Sequence, residues 1–134
     1  MKETTITPLF SDSDALGHTN YQAIIRWLEE ARSPLYRLLY PKYADGDRFF
    51  VLVHIELDFS GETLVDFDAT IRTCVSEIGN TSFTMRQELL QNGNLCVRGG
   101  FVFVHFDRKT RRPIPLGAEM REKLQLWFDT QQRQ

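Results

Sequence analysis

The sequence predicts an α+β fold, in which an antiparallel sheet of about five strands curls around one long helix and a short C-terminal helix closes it. Three observations carry that expectation. Ile24, Leu28, Ala31, Leu35 and Leu38 fall at helical spacing and make one continuous apolar stripe. From Phe49 to Phe106 the apolar period becomes two, interrupted by turn signals at Gly79-Asn80 and Asn92-Gly93. The 134 residues contain no repeat and no low-complexity stretch beyond the polar Gln131-Gln132-Arg133-Gln134, which suits a single domain over 1–134. A long apolar helix must find cover, and a curled sheet supplies it.

Each element has its own local reason. Thr4 to Phe10 reads as a first strand. The long helix runs from Asn20 to about Leu39, with Thr19 or Asn20 as its cap. Ile25 and Leu39 widen its apolar face. Pro34 removes one backbone donor, so a kink or an early end is expected near Ser33. Phe49, Val51, Val53, Ile55, Leu57 and Phe59 alternate into a strand whose wet face includes His54, Glu56 and Asp58. Val65 to Val75 repeats the pattern. Ser82 to Leu90 is the next strand, and Asn92-Gly93 is the strongest hairpin signal in the chain. Leu95 to Phe106 follows, apolar on both faces from Phe101 to Val104 and therefore central. Short turns between successive strands predict a four-strand antiparallel meander. Arg112-Pro113-Ile114-Pro115 ends the sheet, and Gly117 to Phe128 reads as the closing helix.

Composition bounds the function. Hydrophobic residues make up 42 % and charged residues 25 %, and ten Phe supply a core. The net charge of −2 gives no general basic field for nucleic acid. The longest apolar run, Phe49 to Val53, is far below the ~20 residues that span a bilayer. No apolar stretch follows Lys2, so no signal peptide is expected. Arg108, Lys109, Arg111 and Arg112 cluster as a solvated turn or a phosphate contact. Cys74 and Cys96 lack metal-type spacing and sit in apolar runs, as reduced core thiols of a cytoplasmic protein would.

The candidate chemistry lies just before the long helix, in Ser11-Asp12-Ser13-Asp14-Ala15-Leu16-Gly17-His18-Thr19-Asn20. A helix start leaves N–H groups unpaired and carries partial positive charge, so it can polarise a carbonyl and stabilise an oxyanion. A nearby carboxylate can act as base towards water or as nucleophile. Acyl transfer needs both parts. The same residues also have structural readings: Asp12 and Asp14 as turn-formers, Gly17 as a positive-φ position, His18 as a helix-proximal structural residue. So local a cluster does not make a Ser-His-Asp triad. His18, His54 and His105 are scattered, so no metal site is expected. Neither glycine-rich phosphate motif is present.

Asp14-Ala-Leu-Gly-His-Thr-Asn20, followed by Ile25-Arg-Trp-Leu-Glu-Glu-Ala-Arg32, resembles the hot-dog-fold acyl-CoA thioesterases of the 4-hydroxybenzoyl-CoA thioesterase type. Their signature is D-x-x-G-H-x-N before the helix. Ile78-Gly79-Asn80-Thr81-Ser82-Phe83 is similar to their turn between sheet strands. Phe101 to Phe106 with Asp107, Thr110 and Pro113 is similar to their last long strand. The similarity runs from about Phe10 to Leu124. It implies Asp14 as the catalytic carboxylate and the Tyr21 backbone N–H as the donor to the thioester oxygen. Gly17, His18 and Asn20 become shaping residues. Asn80, Thr81, Ser82 and His54 become substrate-contact candidates. The implied substrate is an acyl-CoA, with no separate cofactor. The implied assembly is a homodimer or tetramer with the site at the subunit interface.

This chain departs from the pattern at Tyr21, at Ile24, and at Asn80 and Thr81, where some members carry bases for the nucleotide phosphates. Arg86, Arg98 or the Arg108–Arg112 cluster are the available substitutes. Glu29 or Glu30 would serve the sister group that uses a helix glutamate. Hydrolysis of an acyl thioester is the first expectation. A non-catalytic acyl-binding or partner-binding module is the second. A dehydratase using His54 with Glu56 is the third.

Overall fold

The computed structural model of the protein describes residues 1–42 and 44–129. Along the chain come β1 (Lys2–Ile6), a 3₁₀ turn (Phe10–Asp12), α1 (Tyr21–Leu39), β2 (Arg48–Phe59), β3 (Ala69–Ile78), β4 (Ser82–Gln91), β5 (Asn94–Asp107), β6 (Arg112–Pro113) and α2 (Ala118–Gln125). The sheet has the order β1-β3-β4-β5-β2, with β6 on the end of β5, and every pairing is antiparallel. The helix-and-sheet architecture read from the sequence is therefore the observed one. Ala23, Ile24, Trp27, Leu28, Ala31, Leu35 and Leu39 of α1 are buried in the same core as Ile71, Val75, Phe83, Met85, Leu89, Val97 and Phe101 of the sheet. The Asn92-Gly93 hairpin forms as expected, with φ of 52° and 78°, the double positive φ of a type I′ turn. Cys74 and Cys96 are both buried.

The structure corrects five local expectations. The four-strand meander is a three-strand one: β3, β4 and β5 are successive neighbours, but β2 pairs with β5 from Arg48↔Asp107 to Phe59↔Val97. Residues 60–68 are too long for a hairpin, and they carry the chain across to β3, whose other side is taken by β1. The strand expected from Val65 starts only at Ala69. Before it, Gln91 stands in for a strand partner. The Leu64 N–H donates to Gln91 Oε1 at 2.9 Å, and Gln91 Nε2 donates to the carbonyls of Leu64 at 2.7 Å and Phe67 at 3.0 Å.

The first strand ends at Ile6 rather than Phe10. Pro8 has no N–H to give a ladder, and the Leu9 N–H donates to Asp12 Oδ2 at 2.9 Å. No end occurs near Ser33. The helix runs through Pro34 to Leu39, because Leu35 and Leu39 beyond it are buried in the core. The closing helix stops at Gln125 rather than Phe128. A bulge in β3 between Val75 and Glu77 interrupts its pairing with β4, and the Val75 N–H there donates to Trp127 O at 2.8 Å. Between β5 and β6, Asp107 Oδ1 accepts the Lys109 N–H at 2.9 Å; Arg108, Lys109 and Arg111 lie in that exposed turn, and Arg112 opens β6, exposed as well.

Candidate active site

Asn20 caps α1. Its side-chain oxygen accepts the Ala23 N–H at 2.8 Å, and its carbonyl accepts the Ile24 N–H at 3.3 Å. Helix geometry offers no partner to the first N–H groups. Those of Tyr21 and Gln22 donate to nothing among the described residues. The helix start therefore presents two open donors, and the half-charge of the helix dipole adds to their pull on an oxygen.

Beside it, residues 14–18 close on themselves. Asp14 Oδ1 accepts the N–H of Leu16 at 2.8 Å and of His18 at 3.0 Å. The Asp14 N–H donates to His18 O at 2.7 Å, and the Gly17 N–H donates to Asp14 O at 3.2 Å. One carboxylate oxygen is thus spent on shaping the loop. The other, Oδ2, has no hydrogen bond among the described residues, and Asp14 is exposed. Gly17 has φ of +82°, and a Cβ there would meet nothing within 4 Å. The backbone dihedral, not crowding within the chain, calls for glycine.

His18 fastens this loop to the crossover. Its backbone bridges Leu64, its Nε2 lies 2.9 Å from Glu62 Oε1, and the Thr19 N–H donates to Thr63 O at 2.8 Å. The hydroxyls of Thr19 and Thr63 are buried here without a partner among the described residues.

Asp12 does a different job from Asp14. It is 2 % exposed, and it takes the Leu9 N–H and Trp27 Nε1–H on Oδ2 and the Arg26 guanidinium on Oδ1. Burial alone would push its pKa up. The Leu9 N–H, the Arg26 guanidinium and the Trp27 N–H outweigh that and hold it below the ordinary 3.8. The Asn20 N–H donates to Asp12 O at 2.9 Å, so the same residue sets the position of the helix cap. Asp12 thus goes beyond the turn-former reading: it anchors the loop on α1.

The other sequence candidates lie elsewhere in the chain. Asn80, Thr81 and Ser82 make the β3–β4 turn. Asn80 O accepts the Leu116 N–H and Thr81 O accepts the His105 N–H, each at 2.8 Å. His105 meets the Tyr40 hydroxyl just past the C-terminal end of α1. The turn therefore sits by the opposite end of the helix from Asp14, and 19 helical residues span about 28 Å. The basic side chain that reaches this turn is Arg121 of α2, whose Nη2 donates to Gly79 O at 2.8 Å. His54 is exposed on β2, with Nε2 3.0 Å from Glu56 Oε1. One chain brings Asp14, Gly17, His18, Asn20 and the Tyr21 N–H together and leaves Asn80, Thr81, Ser82 and His54 apart from them.

Five clefts of 160 to 690 Å³ are lined by residues other than 14–21. The loop stands instead on the surface with Leu9, Phe10, Leu16 and Tyr21 exposed around it, Phe10 by 93 %. Among the described residues, no three His, Cys, Asp or Glu side chains gather to hold a metal. No described helix is long and apolar enough to cross a membrane.

Residues 8–124 match the model of the thioesterase-like superfamily. The chain belongs to that superfamily. The fold is a hot-dog fold, and the enzyme class is thioesterase. The solved structure of a predicted thioesterase from Bacillus stearothermophilus is 33 % identical over 95 % of this chain and 96 % of its own, with a TM-score of 0.88. A thioesterase from Thermus thermophilus, solved with coenzyme A and zinc, is 25 % identical over 93 % of this chain and 92 % of its own, TM-score 0.82. A 1,4-dihydroxy-2-naphthoyl-CoA thioesterase from Synechocystis shares the fold at 16 % identity, over 91 % of this chain and 93 % of its own, TM-score 0.81. No curated protein sequence matches the chain.

Proposed function

We propose that the protein hydrolyses an acyl-CoA thioester to the free acid and the thiol, with Asp14 as its reactive carboxylate. The observation that carries this is the pairing of one open carboxylate oxygen, Asp14 Oδ2, with the unpartnered N–H groups that open α1. The thioester oxygen accepts the Tyr21 N–H, and the carbonyl carbon becomes more electrophilic. Asp14 then takes a proton from water as the water oxygen adds to that carbon, or adds to it directly and is released by water in a second step. In either route the oxyanion rests on the helix start, the C–S bond breaks, and the thiol leaves with a proton. Coenzyme A enters as part of the substrate.

The site is completed by a second copy of the chain. β2 is an edge strand of 12 residues, and it exposes Leu52, Val53, Ile55 and Phe59. An apolar edge of that length invites pairing, and a two-fold pairing of β2 with its copy makes one continuous sheet. The exposed apolar side chains around Asp14 then gain cover. The partner's residues supply the wall that one chain lacks, and the partner's Asn80, Thr81, Ser82 and His54 are the groups available to contact the carrier.

A panel of acyl-CoA esters, read by thiol release, tests the reading, and single-turnover hydrolysis in ¹⁸O water separates base from nucleophile by whether label enters Asp14. Thiol release from at least one ester, abolished by Asp14→Asn, is the expected result. Tight binding of acyl-CoA with no thiol release would instead make the chain an acyl-binding module.

A further inference from the structure

A second site lies half-way along α1. Arg32 is 2 % exposed, yet no carboxylate pairs with it among the described residues. Its Nε donates to the Tyr36 hydroxyl at 2.6 Å and its Nη1 to Gln87 Oε1 at 2.9 Å. Gln87 is locked in that orientation, because its Nε2 donates to Leu28 O at 2.9 Å and Thr73 Oγ1 at 3.0 Å. The guanidinium carbon lies 4.0 Å from the Phe101 ring centre, so one face is stacked. Nη2 alone has no hydrogen bond among the described residues. A buried cation held only by neutral groups is costly, and an anion is its natural complement.

Arg32 reaches a cavity of about 260 Å³, walled by Tyr36, Tyr40, Phe50, Leu52 and Phe103. That is below the ~300–1,000 Å³ of sites for drug-sized ligands, so the occupant is small. Four of the walls are paired rings: Tyr36 stands edge-on to Phe103 with centroids 5.6 Å apart, and Tyr40 leans on Phe50 at 5.5 Å. The exposed Glu29 stands at the rim.

We propose that this cavity is a binding site for a small aromatic monocarboxylate. The carboxylate accepts from Arg32 Nη2, and the ring lies among the aromatic walls. Glu29 at the rim disfavours a second negative charge. The site is distinct from the Asp14 loop, since Arg32 and Tyr21 are eleven residues apart on one helix, about 16 Å. The proposal does not depend on the hydrolytic reading.

Titration calorimetry with sodium benzoate, benzamide and phthalate tests it on the parent protein. Benzoate should bind at least tenfold more tightly than the neutral benzamide and than the dianionic phthalate. Arg32→Gln should lose benzoate binding. Glu29→Gln, at an exposed position that does not threaten the fold, should tighten it about threefold to tenfold by removing a like charge. Equal affinity for benzoate and benzamide would overturn the proposal. So would a Glu29→Gln variant with parental affinity for benzoate, whether or not Arg32→Gln folds. Benzoate binding with no thioesterase activity would leave this site standing and remove the hydrolytic reading; the reverse result would do the opposite.

Discussion

Replacing Asp14 by asparagine separates the two oxygens of this carboxylate. Oδ1 accepts from Leu16 and His18 at 2.8 and 3.0 Å and holds the loop. An amide oxygen can keep both bonds. Charge-assisted bonds are about twice as strong as neutral ones. At this exposed position, however, the loss of stability should stay within about 1 kcal/mol. The open position is another matter. An amide NH₂ there can neither take a proton from water nor attack a carbonyl carbon. Loss of a positioned base costs about 10²–10⁴ in rate, or about 2.7–5.5 kcal/mol of barrier. The expected result is a folded variant with kcat down by at least 10² and KM little changed, since the reacting proton or bond moves only in the transition state. Thermal unfolding reports the fold, and thiol release over a substrate series reports kcat and KM. Asp14→Ala should lose stability as well, because it removes the Oδ1 acceptor. An Asp14→Asn protein with parental kcat would refute the assignment, and Asp14 would then be only a loop-former.

Three further outcomes follow from the same geometry. Gly17→Val forces a β-branched residue to φ of +82°, so it should displace the helix start and cost about 10²–10³ in kcat, while Tyr21→Phe should leave the rate unchanged because only the backbone N–H is used. Asp12 sits below its ordinary pKa, so its contribution to stability is complete above that value and is lost as pH falls through the lower folded one. In urea unfolding the gap between parent and Asp12→Asn should be level above about pH 5 and shrink below about pH 4; a constant gap down to pH 2.5 would contradict the anchoring role. Ile55→Glu, on the exposed edge strand, should convert a multimer to a 15.7 kDa species in sedimentation and remove thiol release with it. A parent protein that already sediments as a 15.7 kDa monomer would remove the basis for a shared site.

Much of the architecture was legible because it rests on one-dimensional signals. The α1 stripe, the alternation in β2 to β5 and the Asn92-Gly93 turn each report a local period or a local dihedral. The Asp14 loop was legible in the same way: a carboxylate, a positive-φ glycine and a cap at fixed offsets fold with their own neighbours. What failed to show depends on partners distant in sequence. Which strand β2 chooses is decided by a crossover whose backbone is satisfied by Gln91, 24 to 27 residues later. A polar side chain that replaces a strand has no periodic signature.

Arg32 shows the same limit from the opposite side. On the helical wheel it lies one position past Ala31, and charge alone predicts a solvated face. Its burial depends on Gln87 of β4 and Phe101 of β5, 55 and 69 positions away, the first as acceptor and the second as stacking plane. Gln87 in turn reads as an ordinary residue of a half-wet strand until Leu28 O and Thr73 Oγ1 fix its amide. Three neutral groups from three elements must converge before a guanidinium can stay under a helix without an acid. That convergence is costly to hold for packing alone, since apolar residues of similar volume fill such a space at no desolvation penalty. A cation retained there, with one nitrogen open to a ring-lined cavity, is better accounted for by a ligand's charge than by the stability of the core.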